Sequence, residues 1–500
     1  MINQLDNLFA TLAFKAPNID ALESMTDQWM TVPRIRIQAE SNDDGSDRVA
    51  PESIDDMCRY HPDIIIRLVP KGVYGDVLSI AQHGVWSLRH SDSRTLRGTP
   101  TGFWEWYRRK LTTSATLERD ANDTNDNIAV LRQTYRTHRF SWNANRRLLL
   151  KRSVTLIADA ISRLVYSGGT ELRADPTACA EFPARVYSGP DAALPSVPRA
   201  IHAAFMLIFR VGRRVIRGPW LTKLQWQILV ANDPQQIQSL SRYTRLIPPK
   251  RVFWADPFAL QRSTEPNLAG SAILVEEFDF RIRRGRISLL AADAAGLWTS
   301  TPVIDNHFHY SYPFVFHYRN RPWLVPECHQ SRSIDIYRCD DFPFKWTRHM
   351  TLMDNISAAD TTIFHWGGTW WMFTNINRHG RFGDHHTELF VFSSANPISN
   401  EWVAHGYNPV VTDISQARNG GRVFVNGQGR LIRPVQDCAA RYGSRLRFFE
   451  ITELTLESYA QREVATIEPH WSSDVTAIHH FDYSPGFIAA DAEYRVRRGP

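Results

Sequence analysis

Three acidic residues stand in or beside apolar, aromatic runs that are typical of buried strands. Asp256 interrupts RVFWADPFAL, Glu327 ends RPWLVPE and Asp360 opens DTTIFHW. Cleavage of a glycosyl bond needs two carboxyl groups in unlike environments, because its transition state resembles an oxocarbenium ion. A third acid can tune the other two by charge repulsion. These acids predict a carbohydrate-directed site; the alternative is structural, with Asp256 capping a turn and Glu327 forming a salt bridge.

Further polar residues lie on neighbouring segments and are candidates for binding a substrate: Tyr312, His309, Arg418, Arg433, Gln436 and Asp437. An arginine side chain offers a planar fork of donors that suits a carboxylate, a phosphate or sugar hydroxyls. A buried ion pair with one of the acids is the alternative role for such an arginine. Both interpretations stay open at the level of the sequence.

The elements that must position these residues are short β-runs separated by turn residues, which predict an all-β domain over residues 223–496. Similar strand-opening segments recur near residues 256, 312, 360, 421 and 475. Steps of roughly 50 to 60 residues are the size of a four-stranded propeller blade. The pattern therefore predicts a five-bladed β-propeller whose inner strands bring the three acids to a central funnel.

The first part of the chain follows a different pattern, in which strands and helices alternate. We expect strands at DIIIRLV (63–69) and VWSLRH (85–90), and helices at YGDVLSIAQHG (74–84) and from FWEWYRRKL (103–111). This alternation predicts an α/β domain over residues 1–165. A Gly-, Ala-, Pro- and Ser-rich stretch then predicts a linker over residues 166–222. The expected fold class is multidomain, α/β plus all-β.

The linker contains the apolar run AIHAAFMLIF (200–209), followed by the basic run RVGRRVIRG. The apolar run is too short to span a bilayer. One interpretation is an amphipathic helix over residues 200–217 that lies on an anionic membrane surface. The other is a basic linker helix docked on its neighbour.

Composition narrows the class of protein. The formal charge of +6 comes from scattered basic residues, which argues against nucleic acid as a partner. The five cysteines form no CxxC pair and no cluster with histidines, so we expect neither a disulfide framework nor a metal site. A cytoplasmic location fits this cysteine usage, and the first twenty residues lack the pattern of a secretory signal.

The motifs of the β domain resemble a known family. FWADPF, EEFDF, HYSYPFVF, PWLVPEC, DTTIF, ARNGG and RPVQDCAARYG occur in the order found in the N-terminal domain of plant glucosamine inositolphosphorylceramide transferases and their bacterial relatives. The resemblance covers about residues 224–495. That domain is in turn similar to the five-bladed propellers of arabinanases, xylosidases and invertases. The resemblance implies that Asp256 is the base or nucleophile, and that Glu327 and Asp360 match acids of the nearer family.

The region of about residues 50–150 resembles the catalytic domain of folate-dependent formyltransferases. The resemblance rests on HPDIIIRLVPKGVYGDVLSIAQHGVWSLRH and the later NDTND. Fewer residues precede the match than in that family. The family uses an Asn and a His to polarise the formyl group and an Asp to assist proton transfer. Those positions fall on Ser87, Arg89 and Asp123. Only the Asp is kept, so the resemblance implies a retained scaffold, and 10-formyltetrahydrofolate would be a cofactor only of an active domain.

Three hypotheses follow. The first is a protein that binds or cleaves a glycosyl or amino-sugar conjugate through the acids of the propeller funnel. The second is N-formyl transfer to an amine, such as an amino sugar, with Asp123 as the catalytic acid. The third is a pair of non-catalytic binding scaffolds, and the residues leave open which part is an enzyme.

Overall fold

The computed structural model describes residues 33–41, 46–69, 72–90, 100–121, 127–169, 196–216, 222–231, 240–260, 272–293, 296–380, 383–484 and 486–497. The chain forms two compact units, residues 1–218 and residues 219–500. We call them the front unit and the β unit.

The front unit combines two small sheets with helices. Its elements are β1 Ala39–Ser41, β2 Asp47–Val49, α1 Pro51–Cys58, β3 Ile65–Arg67, β4 Val73–Tyr74, a 3-10 turn at Asp76–Ser79, β5 Val85–Arg89, α2 Phe103–Tyr107, β6 Thr112–Arg119, β7 Ile128–Arg136, α3 Trp142–Tyr166 and α4 Val197–Ile216. One sheet has the order β1-β2-β4 and the other the order β3-β5-β6-β7, with β3 parallel to β5. The apolar face of α3 packs on the second sheet, where Leu149 and Leu156 share a core with Trp86.

Three predicted elements of the front unit differ from the structure. The helix expected over 74–84 is only the 3-10 turn, because Gly75 and Gly84 both take positive φ, which a helix cannot continue through. The strand expected over 63–69 shortens to β3 at a sheet edge, where Leu68 and Val69 are exposed. The helix expected from residue 103 ends at Tyr107.

The β unit is built from antiparallel strands, and the predicted all-β, propeller-like architecture is confirmed. Its strands are β8 Thr222–Ala231, β9 Thr244–Leu246, β10 Val252–Leu260, β11 Ala272–Asp279, β12 Arg284–Ala292, β13 Trp298–Ile304, β14 Ser311–Tyr318, β15 Arg321–Glu327, β16 Ser333–Asp341, β17 Lys345–Asp354, β18 Ala358–Trp366, β19 Thr369–Ile376, β20 Leu389–Ser394, β21 Val403–Ala404, β22 Phe424–Val425, β23 Leu431–Asp437, β24 Arg445–Leu454, β25 Tyr459–Ile467, β26 Val475–Ala477, β27 Phe481–Ser484 and β28 Phe487–Arg497. Short 3-10 turns lie at Leu240–Arg242 and His329–Ser331.

These strands form successive sheets, which we number 1 to 5: β10–β13, β14–β17, β18–β21, β22–β25, and a last sheet in which β26, β28, β8 and β9 are neighbours. Sheet 5 joins the two ends of the unit, because β8 pairs with β28 along its whole length. Such a closure leaves no long unpaired edge between the first and last sheets.

The apolar cores lie between consecutive sheets. Sheets 1, 2 and 3 share one core, sheets 3 and 4 a second, sheets 4 and 5 a third, and sheets 5 and 1 a fourth, in which Ile228 and Ala489 meet Trp254 and Val275. Each sheet thus buries both faces against its two neighbours. This ring of cores fixes the inner strands around one centre.

Candidate functional site

The inner strands of sheets 1, 2 and 3 share one irregularity. Each contains a β-bulge, and the bulged residue has positive φ: +50° at Asp256, +44° at Tyr312 and +50° at Asp360. Positive φ is uncommon for residues other than glycine, and bulges often redirect a side chain beside a functional site. Two predicted acids and the predicted Tyr312 therefore occupy the same structural position in three consecutive sheets.

Asp256 is buried beside two residues of sheet 5 and its connections. Its Oδ1 lies 2.9 Å from His479 Nε2, and Asp491 Oδ1 lies 3.1 Å from His479 Nδ1. Burial disfavours protonation of His479, but the carboxylates of Asp491 and Asp256 raise its pKa to about 10. Burial also works against ionisation of Asp256, yet the charge and hydrogen bond of His479 lower its pKa. Asp256 is therefore a carboxylate held by an imidazolium.

Asp360 is held by different partners. Arg418 donates to both of its carboxylate oxygens, from Nε at 2.6 Å and from Nη2 at 3.2 Å, and Gln436 donates to Oδ2 at 2.8 Å. Arg418 Nη1 also lies 2.8 Å from His386 Nδ1. Burial raises the pKa of Asp360, while Arg418 acts in the opposite direction. The acceptor capacity of this carboxylate is largely used within the protein.

Glu327 lies between these two acids at the end of β15. Its Oε2 accepts a hydrogen bond from the backbone N–H of Asp360 at 3.1 Å, and its Oε1 lies 3.8 Å from His329 Nδ1. Burial opposes ionisation, but the nearby His329 and the charge of Arg418 lower the pKa of Glu327. Glu327 is thus a second carboxylate in the centre.

Glu276, in β11, completes the group and was missed by the sequence prediction. It pairs with the residue before the bulge of sheet 1, as Glu327 does in sheet 2. His309 Nδ1 accepts from the backbone N–H of Gly285, so its Nε2 carries the proton and faces Glu276 Oε1 at 3.4 Å. Burial, followed by the negative charges of Asp256 and Glu327, raises the pKa of Glu276 well above its usual range.

The centre therefore contains neighbouring carboxyl groups whose pKa values move in opposite directions. The pKa values of Asp256 and Glu327 are lowered, whereas those of Glu276 and Asp360 are raised. Such a divergence separates a proton acceptor from a proton donor at one pH. The arrangement can perform general acid and base chemistry on one bound molecule.

Tyr312 packs beside the centre, and its backbone N–H donates to Asp256 Oδ2 at 3.2 Å. Its ring contacts Phe258 and His480, and its hydroxyl lies 2.9 Å from Thr362 Oγ1 and donates to the Gly421 carbonyl at 3.1 Å. These contacts link sheets 1, 2, 3 and 5 with the segment that leads into sheet 4. A separate cavity of about 300 Å³ lies further along the same strands, with Phe316, His365, Trp370 and Arg422 in its lining.

The other predicted residues are distributed between the centre and the framework. Gln436 contacts Asp360, as described, and His309 contacts Glu276. Arg433 is fully buried and donates to the carbonyls of Ala417 and Gln416 and to the side chains of Asn419 and Gln461. Asp437 pairs with Arg445 at 2.7 Å. Arg433 and Asp437 therefore contact the framework of sheet 4 and its entry segment, away from Asp256.

In the front unit, Ser87 hydrogen-bonds to Asp120 and Arg89 pairs with Glu118. Glu118 lies in the neighbouring strand β6, and Asp120 follows the end of that strand. Asp123 lies outside the described residues. The formyl-transfer hypothesis thus stays a prediction.

Other residues missed from the sequence are His479, Asp491 and His480. The tandem histidines of AIHHFDY and the first acid of IAADAEY were the available signals. His479 contacts a residue 223 positions away, so only the closure of the ring brings the pair together.

A metal ion has one candidate location among the described residues, since ligand atoms of Asp256, His479 and Asp491 lie within 4.8 Å of one another. Histidine binds a metal only without its proton. Without an ion, His479 lies between the two carboxylates and pairs with both.

The fold and centre define a propeller-like unit with a cluster of carboxyl groups at its axis. Residues 276–476 match the family described as "Glucosamine inositolphosphorylceramide transferase 1, N-terminal". The predicted resemblance is confirmed over those residues, which include Glu276, Glu327 and Asp360 but not Asp256.

Among curated relatives, glucosamine inositolphosphorylceramide transferase 1 of Oryza sativa subsp. japonica is 35% identical over 173 residues, covering 34% of this chain and 23% of the relative. The protein of the same name from Arabidopsis thaliana is 31% identical over 199 residues, which cover 38% of this chain and 25% of the relative. The chain thus spans about a quarter of the length of the curated relatives it matches.

Among solved structures, a family 117 glycoside hydrolase from Zobellia galactanivorans has a TM-score of 0.34 and 10% identity, covering 55% of this chain and 90% of the hydrolase. A Bacillus subtilis arabinanase has a TM-score of 0.26 and 12% identity, and the match covers 34% of this chain and 61% of the arabinanase.

Proposed function

We propose that the β unit binds a carbohydrate in its central funnel and acts on a glycosyl bond, with Glu276 as the proton donor and Asp256 as the base or nucleophile. The observation that carries this proposal is the opposite displacement of the two pKa values within one centre. The raised pKa favours the protonated form of Glu276, and the lowered pKa favours the ionised form of Asp256. Two carboxyl groups in these two states are the requirement for glycoside cleavage.

In the reaction, Glu276 gives its proton to the glycosidic oxygen as the bond from that oxygen to the anomeric carbon breaks. Asp256 either removes a proton from the attacking water or attacks the anomeric carbon itself. Glu327 remains ionised between them and its charge helps to keep Glu276 protonated. Asp360 holds Arg418 in place, and neither is assigned a step in the reaction.

The names of the matched relatives support an amino-sugar conjugate as the class of substrate. The family name contains glucosamine and inositolphosphorylceramide, and this chain matches only the N-terminal family region. We therefore place glucosaminides first among the candidates, ahead of neutral pentosides and galactosides.

The test uses the full chain and a panel of 4-nitrophenyl glycosides of glucosamine, galactose, xylose and arabinose. We expect release of nitrophenol from at least one of them. Asp256→Asn and Glu276→Gln should each lower kcat by about 10²–10⁴-fold, the usual contribution of a positioned acid or base. Calorimetry with the same sugar should still detect binding by Glu276→Gln.

Glu463→Gln is the matched control, because Glu463 is a carboxylate on the outermost strand of sheet 4 that pairs with Arg447. It should leave turnover unchanged. Sugar binding without turnover, lost in Asp256→Asn, would favour the non-catalytic scaffold. Neither binding nor turnover across the panel would contradict the proposal.

A further inference from the structure

Helix α4 of the front unit is held in place along one side. His202 Nδ1 lies 2.9 Å from Tyr107 Oη, and Met206 Sδ accepts from Arg109 Nη2 at 3.3 Å. Ala203 is fully buried in a small core with Phe103, Trp104, Trp106 and Trp142. The side of α4 that faces the front unit therefore carries small, polar and sulfur-containing side chains, together with Leu207, which packs against the same core.

Five larger apolar side chains of α4 point away from this core and are exposed. Phe205, Ile208 and Phe209 are 68%, 69% and 61% exposed, and Val197 and Ile201 continue the same stripe. These five positions recur at the spacing of one face of an α-helix. A docked helix ordinarily buries its apolar face, so α4 presents the reverse arrangement. Contiguous exposed apolar surface marks a site of interaction.

The charge of this segment indicates what covers the apolar face. Residues 196–217 contain five arginines and no acidic residue: Arg199, Arg210, Arg213, Arg214 and Arg217. A helix with Phe and Ile on one face and an arginine-rich sequence is the type that lies in the headgroup region of an anionic bilayer. No helix among the described residues is both long enough and apolar enough to cross a membrane.

From the docked side, the exposed stripe and the charge, we propose that α4 is a peripheral anchor that binds the surface of an anionic lipid bilayer. Phe205, Ile208 and Phe209 enter the boundary between headgroups and acyl chains. The arginines of the segment add attraction to anionic headgroups. The contacts of His202 and Met206 keep the helix attached to the front unit while its apolar face is in lipid. This inference stands independently of the function proposed for the β unit.

The test is flotation of the full chain with vesicles of phosphatidylcholine alone or with added phosphatidylglycerol. We expect about tenfold or more binding to the anionic vesicles, and a loss of this preference in high salt because exposed charges are screened. The triple variant Phe205→Ser, Ile208→Ser, Phe209→Ser should bind about tenfold or more weakly, since it removes the apolar surface that would be buried in the bilayer. Charge removal in Arg210→Gln, Arg213→Gln, Arg214→Gln should abolish only the preference for anionic vesicles.

The matched control is Val403→Ser with Leu456→Ser, which removes exposed apolar side chains of the β unit and should float like the wild-type chain. Circular dichroism checks that every variant is folded. Wild-type protein that does not float, or a triple variant that floats equally well, would overturn the proposal. So would sedimentation showing a dimer that the triple variant converts to monomers without any binding to vesicles, because the stripe would then cover a second copy.

Discussion

Asp256 and Asp360 occupy the same place in two sheets, yet their surroundings differ. Both are buried, both lie at a bulge and both have φ of +50°. Asp256 is held by His479, whereas Asp360 is clamped by the two-pronged contact of Arg418 and by Gln436. The backbone geometry is shared, and the partners decide the role.

The difference between the partners is chemical. An arginine cannot give up its proton near neutral pH, so Arg418 keeps its positive charge beside Asp360. A histidine can change its charge, and the protonation of His479 depends on Asp256 and Asp491. We infer that the sheet 3 side of the centre is framework and that the sheet 1 side, with Asp256 and Glu276, performs the chemistry.

The largest expected effect on stability is on the framework side. Arg418→Ala leaves Asp360 buried without its cation, which should lower the free energy of unfolding by about 3–5 kcal/mol. Urea denaturation measures it. The double variant Arg418→Met, Asp360→Asn should recover part of the loss, and Arg462→Ala, at an exposed pair with Glu450, should have little effect. A loss below about 1 kcal/mol in Arg418→Ala would show that the pair is not framework.

Asp256→Asn should cost less stability than Arg418→Ala while removing turnover. Asparagine keeps an oxygen that can accept from His479, and Asp491 still pairs with the imidazolium, so the expected loss is about 1–3 kcal/mol. The same denaturation experiment, combined with the glycoside assay, separates the two effects. A loss as large as that of Arg418→Ala, with turnover retained, would reverse the roles assigned to the two sides.

The free energy of unfolding should fall as the pH rises into the alkaline range, because of His479 on the sheet 1 side. The pKa of His479 rises from an ordinary value of 6.5 to about 10 on folding. Its contribution is fully present below pH 6.5 and is lost as the pH rises through 10, at up to about 1.4 kcal/mol for each pH unit. Denaturation at several pH values should show a shallower decline in His479→Gln than in the wild-type chain. Parallel declines would mean that His479 is neutral.

The smallest effect is expected at the third bulge. Tyr312→Phe removes the hydroxyl that joins Thr362 and the Gly421 carbonyl, at a cost of about 1 kcal/mol. Sugar binding should be unchanged, because the hydroxyl is buried and its hydrogen bonds are made within the protein. Calorimetry of the variant that shows weaker binding would instead make Tyr312 part of the sugar site.

Much of the β unit could be predicted from the sequence because each sheet begins with a similar motif. The segments around Asp256, Tyr312 and Asp360 repeat one strand and one bulge, so their equivalence is a local property. Glu276 was missed because LVEEFD has two adjacent acids that point to opposite faces of a strand, and the sequence does not show which of them faces the centre. His479 and Asp491 were missed because their contact with Asp256 depends on closure of the ring by β8 and β28.

The front unit could be predicted less well, since its elements are short and governed by tertiary contacts. Gly75 and Gly84 ended the expected helix, and β3 became a half-exposed edge strand. On α4 the apolar pattern was evident from the sequence, but not which face would contact the front unit. The contacts of His202 and Ala203 decide that.

The most direct test of the proton-donor role compares two leaving groups on the glycoside that the panel identifies. A 2,4-dinitrophenyl group leaves without a proton, whereas a 4-methoxyphenyl group needs one. We predict that Glu276→Gln loses about 10²-fold or more of kcat on the methoxyphenyl glycoside and less than about tenfold on the dinitrophenyl glycoside. Equal losses on both substrates, or no loss on either, would contradict the assignment of Glu276 as the acid that opposes Asp256.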